Sequence, residues 1–352
     1  MFKHVLLVVN PKAESHTDVD SWLPTLIETL NSRAECLVSV CYTTETTTTE
    51  TLLDLLNPPL DLVIAAGGDG TLRFVLSALA RKKSDIPLAI MPTGTGNVLA
   101  RNLGIVPQEF LGDPMENAID NIVDGVVHPI DLGRMNGFYF SGIAGAGPLA
   151  EAFASPKREH KTNLKMFAYA ASMFETIAHS PIMFRIATPD TTFRVKASGV
   201  FVGNVHDLGF GREPRLEDLT DRKLSLIILS PRDFSDYVNM GFRFLTGESK
   251  DRLPIYITEI EEAIIDVSDT SARRSSFQEM VRNIMEGIGI GGEHENPSED
   301  AVAAMIDGEL YGTTPMHVQV VPQAVKVVVP RDSALLDGAT SWLDSSKNEI
   351  KK

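Results

Sequence analysis

The chain has only two cysteines in its 352 residues, Cys36 and Cys41. That is too few for a disulfide framework, and without accompanying histidines it is too few for a metal site. Both are expected as reduced thiols in a cytoplasmic protein. No apolar run approaches the ~20 residues that a membrane-crossing helix needs. The opening MFKHVLLVVNPK has no signal-type cleavage region and reads as a first strand. Basic residues are in the minority, 32 Lys and Arg against 47 Asp and Glu, for a net charge of −15. Such a chain is a poor general ligand for nucleic acid, and contact with an anionic membrane would need a local basic patch. Two nucleotide signatures are also missing. There is no G-x-x-x-x-G-K-[ST] segment, which excludes a P-loop, and no G-x-G-x-x-G after the first strand, which argues against a dinucleotide oxidoreductase.

Hydrophobic residues make up 43% of the chain, ordinary for a globular protein, and the length suits two domains. The first third alternates buried-strand runs with helical spacing. HVLLVVN, CLVSVCY, DLVIAAG and IPLAIMP are strands; helices are predicted near residues 22–30, 52–56, 72–79 and 98–103. Strict alternation implies an α/β domain with a parallel sheet and helices on its faces. Near residue 130 the texture changes. Asn136-Gly137 between two apolar runs signals a hairpin. GVFVGNV, KLSLIILS, PIYITEI, EEAIIDV, AAMIDGEL, MHVQVV and AVKVVVP then suggest a second domain rich in antiparallel strands, interrupted by helices near 163–178 and 233–245. The threonine-rich stretch from Thr43 to Thr51 is expected as a loop, with Thr49 or Thr51 capping the next helix. The polar stretch near 268–300 reads as an insertion between strands.

Chemistry concentrates in glycine-rich turns at strand ends, where parallel sheets bind ligands. Gly67-Gly68-Asp69-Gly70-Thr71 follows a strand and opens a helix. Its glycines let backbone N–H groups approach an anion, and the helix dipole assists. Asp69 can hold a magnesium ion and Thr71 can donate a hydrogen bond. Taken singly, this is equally a tight strand-to-helix turn. A second turn of the same kind, Pro92-Thr93-Gly94-Thr95-Gly96-Asn97, ends the next strand and supplies two hydroxyls and one amide. Two phosphate-type turns on successive strands are hard to explain as packing.

VVNPKA at 8–13, GGDGTL at 67–72, PTGTGNVLARNLGI at 92–105 and IDGE at 306–309, in this order, resemble the diacylglycerol kinase catalytic-domain family, which includes the diacylglycerol, sphingosine and ceramide lipid kinases. The resemblance implies a three-layer α/β domain that binds ATP, over residues 1–130 and completed by 322–352. It implies a β-sandwich-like lipid-substrate domain over 131–321, with the insertion near 268–300. It implies that Asn10, the turn Gly67, Gly68, Asp69, Gly70 and Thr71, and Thr95 of the turn Gly94, Thr95, Gly96 and Asn97 contact ATP. Thr43 or Thr44 falls near a threonine that the family uses at the end of the second strand. Asp69 would position magnesium, Glu309 would be the catalytic base, and Asp307 would assist by orienting Glu309 or shaping a metal site. In isolation, Asp307-Gly308-Glu309 is a plain turn between strands.

The chain departs from the family in places. Ala13-Glu14-Ser15 replaces the usual Ser-Gly, and Arg73-Phe74 replaces Asn-Glu after GGDGTL. Arg73 is expected either to meet a phosphate or to lie exposed on its helix. Leu219-Thr220-Asp221-Arg222-Lys223 keeps one carboxylate of an Asp-Asp-Gly magnesium segment and loses its glycine, which argues against that structural site. The expected protein is a membrane-peripheral, cytoplasmic lipid kinase using ATP and Mg2+. The alternatives are a kinase of a soluble alcohol such as NAD, and a catalytically silent lipid or nucleotide sensor. Lys157, Arg158, Lys161 and Lys165 beside the apolar stripe Leu164, Phe167, Ala168 and Ala171 form either a membrane-docking face or the solvated side of a core helix. A homodimer is left open.

Overall fold

The structure, a computed structural model, describes residues 2–13, 19–33, 36–44, 46–57, 59–106, 114–154, 181–205, 216–230, 255–267 and 301–331. The helices expected near 163–178 and 233–245, the basic residues 157–165 with their apolar stripe, the 268–300 insertion and the chain after Arg331 lie outside these residues. The chain divides into two compact units. Met1–Leu132, Glu213–Arg222 and Val321–Lys352 form the first; Gly133–Arg212 and Lys223–Val320 form the second.

In the first unit β1 (His4–Val9), α1 (Val19–Arg33), β2 (Leu37–Tyr42), α2 (Thr49–Leu55), β3 (Leu62–Gly67), α3 (Asp69–Lys82), β4 (Leu88–Pro92), α4 (Val98–Asn102) and α5 (Pro114–Asp124) follow in order. The strands run parallel in the spatial order β2-β1-β3-β4. β3 and β4 are buried throughout, and β1 after its first residue, as apolar strands covered on both faces must be. α3 packs on β3 with α2 beside it, and α5 packs on β4 with α1 beside it, giving three layers. α5 is absent from the helices predicted above, although Met115, Ala118, Ile119 and Ile122 repeat at helical spacing and are buried.

The cap of α2 is Thr48, not Thr49 or Thr51. Its hydroxyl accepts the N–H of Thr51 at 3.3 Å, because a capping side chain must lie about three residues before the donor it satisfies.

In the second unit a six-stranded antiparallel sheet has the order β12 (Ile255–Ile260), β11 (Leu224–Leu229), β10 (Gly199–Gly203), β7 (Ile143–Ala146), β14 (Ala303–Ile306), β15 (Glu309–Thr313). A second antiparallel set joins β13 (Glu262–Val267) to β8 (Ile182–Ala187) and to the first residues of β16 (Met316–Val329), with β9 (Thr192–Ala197) beside β8. β8 and β9 are missing from the strands predicted above. Phe140, Phe184, Val202, Ile265, Ile306 and Met316 share one sandwich core. On the other face of the larger sheet, Leu149 and Ala150 of α6 (Pro148–Ala154) cover Phe201, Ile227 and Met305. β5 (Val126–Met135) and β6 (Phe138–Phe140) form the expected hairpin, with Asn136 and Gly137 at φ 47° and 90°.

MHVQVV and AVKVVVP, predicted as separate strands, are the single long strand β16. Pro322 removes a ladder donor, so the sequence reads as broken there. At the next residue Gln323 takes φ 48° and gives its N–H to Asp131 Oδ1 at 2.7 Å. The fully buried Asp131 also accepts the N–H of Arg222, at φ 62°, on Oδ2 at 2.7 Å. Arg222 thus adopts a backbone conformation that suits the glycine it replaces in the Asp-Asp-Gly pattern.

Candidate active site

The order β2-β1-β3-β4 places a topological switch between β1 and β3, where the connections leave in opposite directions. In register, Val9 of β1 faces both Tyr42 of β2 and Ala66 of β3, and Gly67 faces Pro92 of β4. β1 and β2 therefore end level with Ala66, β3 and β4 end together one residue further, and Asn10, Thr43, Gly67 and Thr93 lie along one edge of the sheet. Asn10 donates its N–H to Ala66 O at 2.8 Å, and Thr43 donates its N–H to Val9 O at 2.7 Å. The Asn10 side-chain oxygen accepts the Lys12 N–H at 3.0 Å and so shapes its own turn, which leaves Nδ2 as the group not engaged there. Of the two threonines offered by the sequence, Thr44 has its hydroxyl in a turn with Thr46 at 2.9 Å. Thr43 stands at the strand end itself.

The two glycine turns interlock. A Cβ on Gly94 would come within 2.3 Å of the Gly68 Cα, so the turns meet backbone to backbone with no room for a side chain. A Cβ on Gly96 would come within 2.4 Å of Asp69 Oδ2. Asp69 Oδ1 accepts the Val98 N–H at 2.8 Å, so the carboxylate of the first turn closes the helix that follows the second. Burial pushes the Asp69 carboxyl above its ordinary value; the Val98 hydrogen bond and the positive charge of Arg101 oppose that rise without cancelling it. Arg101 is exposed on α4, and its positive charge acts on Asp69. Residue-type reasoning missed it, although it lies inside PTGTGNVLARNLGI.

The other predicted residues divide by what they touch. Thr71 is buried and fills the space where a Cβ on Gly67 would sit, which makes it part of the turn's packing. Asn97, at φ 47°, accepts the Gly94 N–H at 3.1 Å and donates to Pro92 O at 3.1 Å and Gly94 O at 2.5 Å. Its amide is thereby spent inside the loop. Thr95 is exposed, and Gly68, Asp69 and Gly70 are half-buried at the start of α3, whose first N–H groups have no partner within the helix. Arg73 is not exposed on its helix. It is 4% exposed, with its guanidinium 5.7 Å from the Phe74 ring centroid.

This arrangement suits a polyphosphate: small residues, the N–H groups of a helix start and an exposed threonine lie at one strand edge. It suits magnesium less fully. Among the described residues no group of three or more His, Cys, Asp or Glu could hold a metal ion, and Asp69 offers one oxygen beyond the one given to Val98. A magnesium ion that keeps waters and phosphate ligands needs only such a single carboxylate.

Asp307 and Glu309 belong to the second unit. Asp307 and Gly308, at φ 47° and 85°, make the two-residue turn of the β14–β15 hairpin, and Ile306 pairs with Glu309 across it. Asp307 Oδ1 accepts the N–H groups of Gly142 and Ile143, each at 2.9 Å, and Oδ2 accepts that of Ser141 at 3.3 Å. Its own N–H goes to Ile143 O at 2.8 Å. Asp307 therefore anchors the turn on the start of β7, and Glu309 opens β15 with its side chain exposed.

A three-layer parallel unit with paired phosphate-type turns, followed by a β-sandwich unit bearing a carboxylate hairpin, defines a two-unit phosphotransferase. Comparison with known proteins makes this specific. The family model described as the diacylglycerol kinase catalytic domain matches residues 4–135. The chain is 32% identical over 212 residues to a diacylglycerol kinase of Bacillus subtilis, covering 59% of this chain and 68% of that protein. It is 27% identical over 274 residues to a diacylglycerol kinase of Staphylococcus epidermidis, covering 77% and 75%. A crystal structure of a diacylglycerol kinase from Bacillus anthracis superposes with a TM-score of 0.63 at 20% identity, covering 94% of this chain and 98% of that one, and so shares the fold. The chain belongs to the diacylglycerol kinase catalytic-domain family. It is a phosphotransferase with an alcohol group as acceptor.

Proposed function

We propose that the protein is an ATP-dependent lipid kinase that transfers the γ-phosphoryl group to a hydroxyl of a diacylglycerol-like or sphingoid lipid. The observation that carries this is the interlocked pair of glycine turns at the β1–β3 switch point, in a chain whose relatives are named diacylglycerol kinases. The first unit binds the nucleotide: Asn10 and Thr43 line the strand edge, Gly67, Gly68, Gly70, Gly94 and Gly96 admit the phosphates, and Thr95 donates its hydroxyl. Thr71 and Asn97 hold the turns in shape. Asp69 ties the turns together and presents its second oxygen toward a magnesium ion, which would neutralise phosphate charge when bound.

The second unit receives the lipid. An alcohol is a weak nucleophile, and the Glu309 carboxylate takes its proton as the oxygen attacks phosphorus. Asp307 keeps Glu309 in place through the Ser141–Ile143 backbone. No helix among the described residues is long and apolar enough to cross a membrane. The protein reaches its lipid from the cytoplasmic membrane surface.

The test is a labelled-ATP assay with diacylglycerol, sphingosine, ceramide, polyprenol and NAD as acceptors. Label should enter a lipid and not NAD; label in NAD alone, or in none, overturns the proposal. Glu309→Gln should lower kcat by roughly 10²- to 10⁴-fold with the KM for ATP unchanged. Full activity in that variant removes Glu309 as the base.

A further inference from the structure

β15 has two chemically distinct faces. Ile306 and Glu309 pair directly across the hairpin, and directly paired residues project from the same side of a sheet. Ile306 is buried in the sandwich core, and Tyr311, two residues along from Glu309, packs against that same core. Met305 pairs with Leu310, and Met305 belongs to the core on the α6 side. Glu309 and Tyr311 therefore share the sandwich-facing side of β15, and Leu310 points the other way.

Tyr311, on that side, is one member of an aromatic pair. Phe138 meets Tyr311 edge to face, with ring centroids 4.6 Å apart and planes at 68°. Phe138 is nevertheless 43% exposed. It is also firmly held. The preceding Asn136 donates from Nδ2 to Pro315 O at 3.0 Å and accepts the His317 N–H at 2.8 Å, which ties the β5–β6 hairpin to the start of β16. An exposed aromatic ring on an anchored hairpin, held against Tyr311 two residues along the strand from Glu309, is preorganised for a ligand more than it is required for packing.

We propose that Phe138 and Tyr311 form the rest for the hydrocarbon chain of the acceptor lipid, and so set its preference for long-chain substrates. This deepens the lipid-kinase reading and rests on it. A molecule whose hydroxyl reaches Glu309 lays its next atoms along the same side of β15, against the two rings. Those rings carry no charge and reward apolar area, so they discriminate by chain length more than by headgroup.

The experiment compares diacylglycerols with long and short acyl chains in neutral mixed micelles, using wild type, Phe138→Ala, Phe138→Leu and Leu310→Ala. Leu310 is 54% exposed on the same strand but the opposite face, so it controls for general micelle adsorption. Phe138→Ala should lower kcat/KM for the long-chain substrate about tenfold, mainly through KM, and for the short-chain substrate by less than about twofold. Phe138→Leu should restore part of the loss, and Leu310→Ala should match wild type. Unchanged chain-length preference in both Phe138 variants with melting temperatures intact overturns the proposal, as does an equal effect from Leu310→Ala. If Phe138→Ala does not fold, the Phe138→Leu ratio decides the matter. Wild type that phosphorylates none of the lipids refutes the lipid-kinase reading and this proposal together, whereas an active wild type with indifferent Phe138 variants refutes this proposal alone.

Discussion

Asp69 is pulled in two directions. Burial raises its carboxyl, while the Val98 N–H and the Arg101 charge favour the ionised form. Burial wins, so the folded state binds the proton more tightly than the unfolded chain does. The sign of the consequence follows by linkage. Below the unfolded value, ~3.9, both states are protonated and Asp69 carries no charge penalty. As pH rises through that value and then through the higher folded one, the native state must hold a desolvated charge and loses stability. Asp69→Asn keeps an oxygen for the Val98 N–H and removes the titration. The melting temperature of wild type relative to this variant should therefore fall as pH is raised from acid toward neutrality; a difference that is flat or rises with pH contradicts this account. In the proposed role Asp69 lies beside the phosphates, so the variant should lose activity even where it gains stability. Asp307 is engaged differently: three backbone N–H groups bond its carboxylate and tie the hairpin to the segment Ser141–Ile143.

At the scale of elements, the two glycine turns behave as one part. Separate strands deliver them, but Gly68 and Gly94 touch and Asp69 reaches across to α4. Gly94→Ala would place a methyl group 2.3 Å from the Gly68 Cα and 3.0 Å from Asn97 Oδ1, against backbone that cannot rotate away. The turns must separate, at a cost of about 1–3 kcal/mol. Thermal denaturation should show that loss, and the KM for ATP should rise with it, since displacing one turn displaces the other. A variant with an unaltered KM for ATP would show that the turns act independently. The hairpin of β14 and β15 is the corresponding element of the second unit, where a left-handed Asp-Gly turn closes the strand pair just before Glu309.

At the scale of the whole molecule, charge sets the terms of any membrane encounter. The net charge of −15 repels an anionic surface, and salt screens that repulsion. Cosedimentation with anionic vesicles should therefore hold steady or rise as salt is added. A fall with salt would mean that a local basic segment, for which Lys157, Arg158, Lys161 and Lys165 are the candidates, outweighs the bulk charge.

The parallel sheet, the Asn136-Gly137 hairpin and both glycine turns were legible in the residues, because buried strands, two-residue turns and glycine-rich strand ends each impose a local pattern. Local pattern also misled. Pro322 split β16 on paper, where Asp131, distant in sequence, holds the strand together by accepting the Gln323 N–H. Arg73 was expected to meet a phosphate or to lie exposed on its helix, and its burial follows from the packing around α3, which helix periodicity alone does not state. The motifs named Asp69, Asp307 and Glu309 as carboxylates of interest and could not say which were free to act. The family and the phosphotransferase class thus rest on short segments whose chemistry is local. Only the tertiary structure showed that Asp69 bridges two turns, that Asp307 is an anchor, and that Glu309 shares a strand face with Tyr311, which meets Phe138 from another strand. Those facts depend on pairing between residues far apart in the chain, which cross-strand register decides and linear order does not encode.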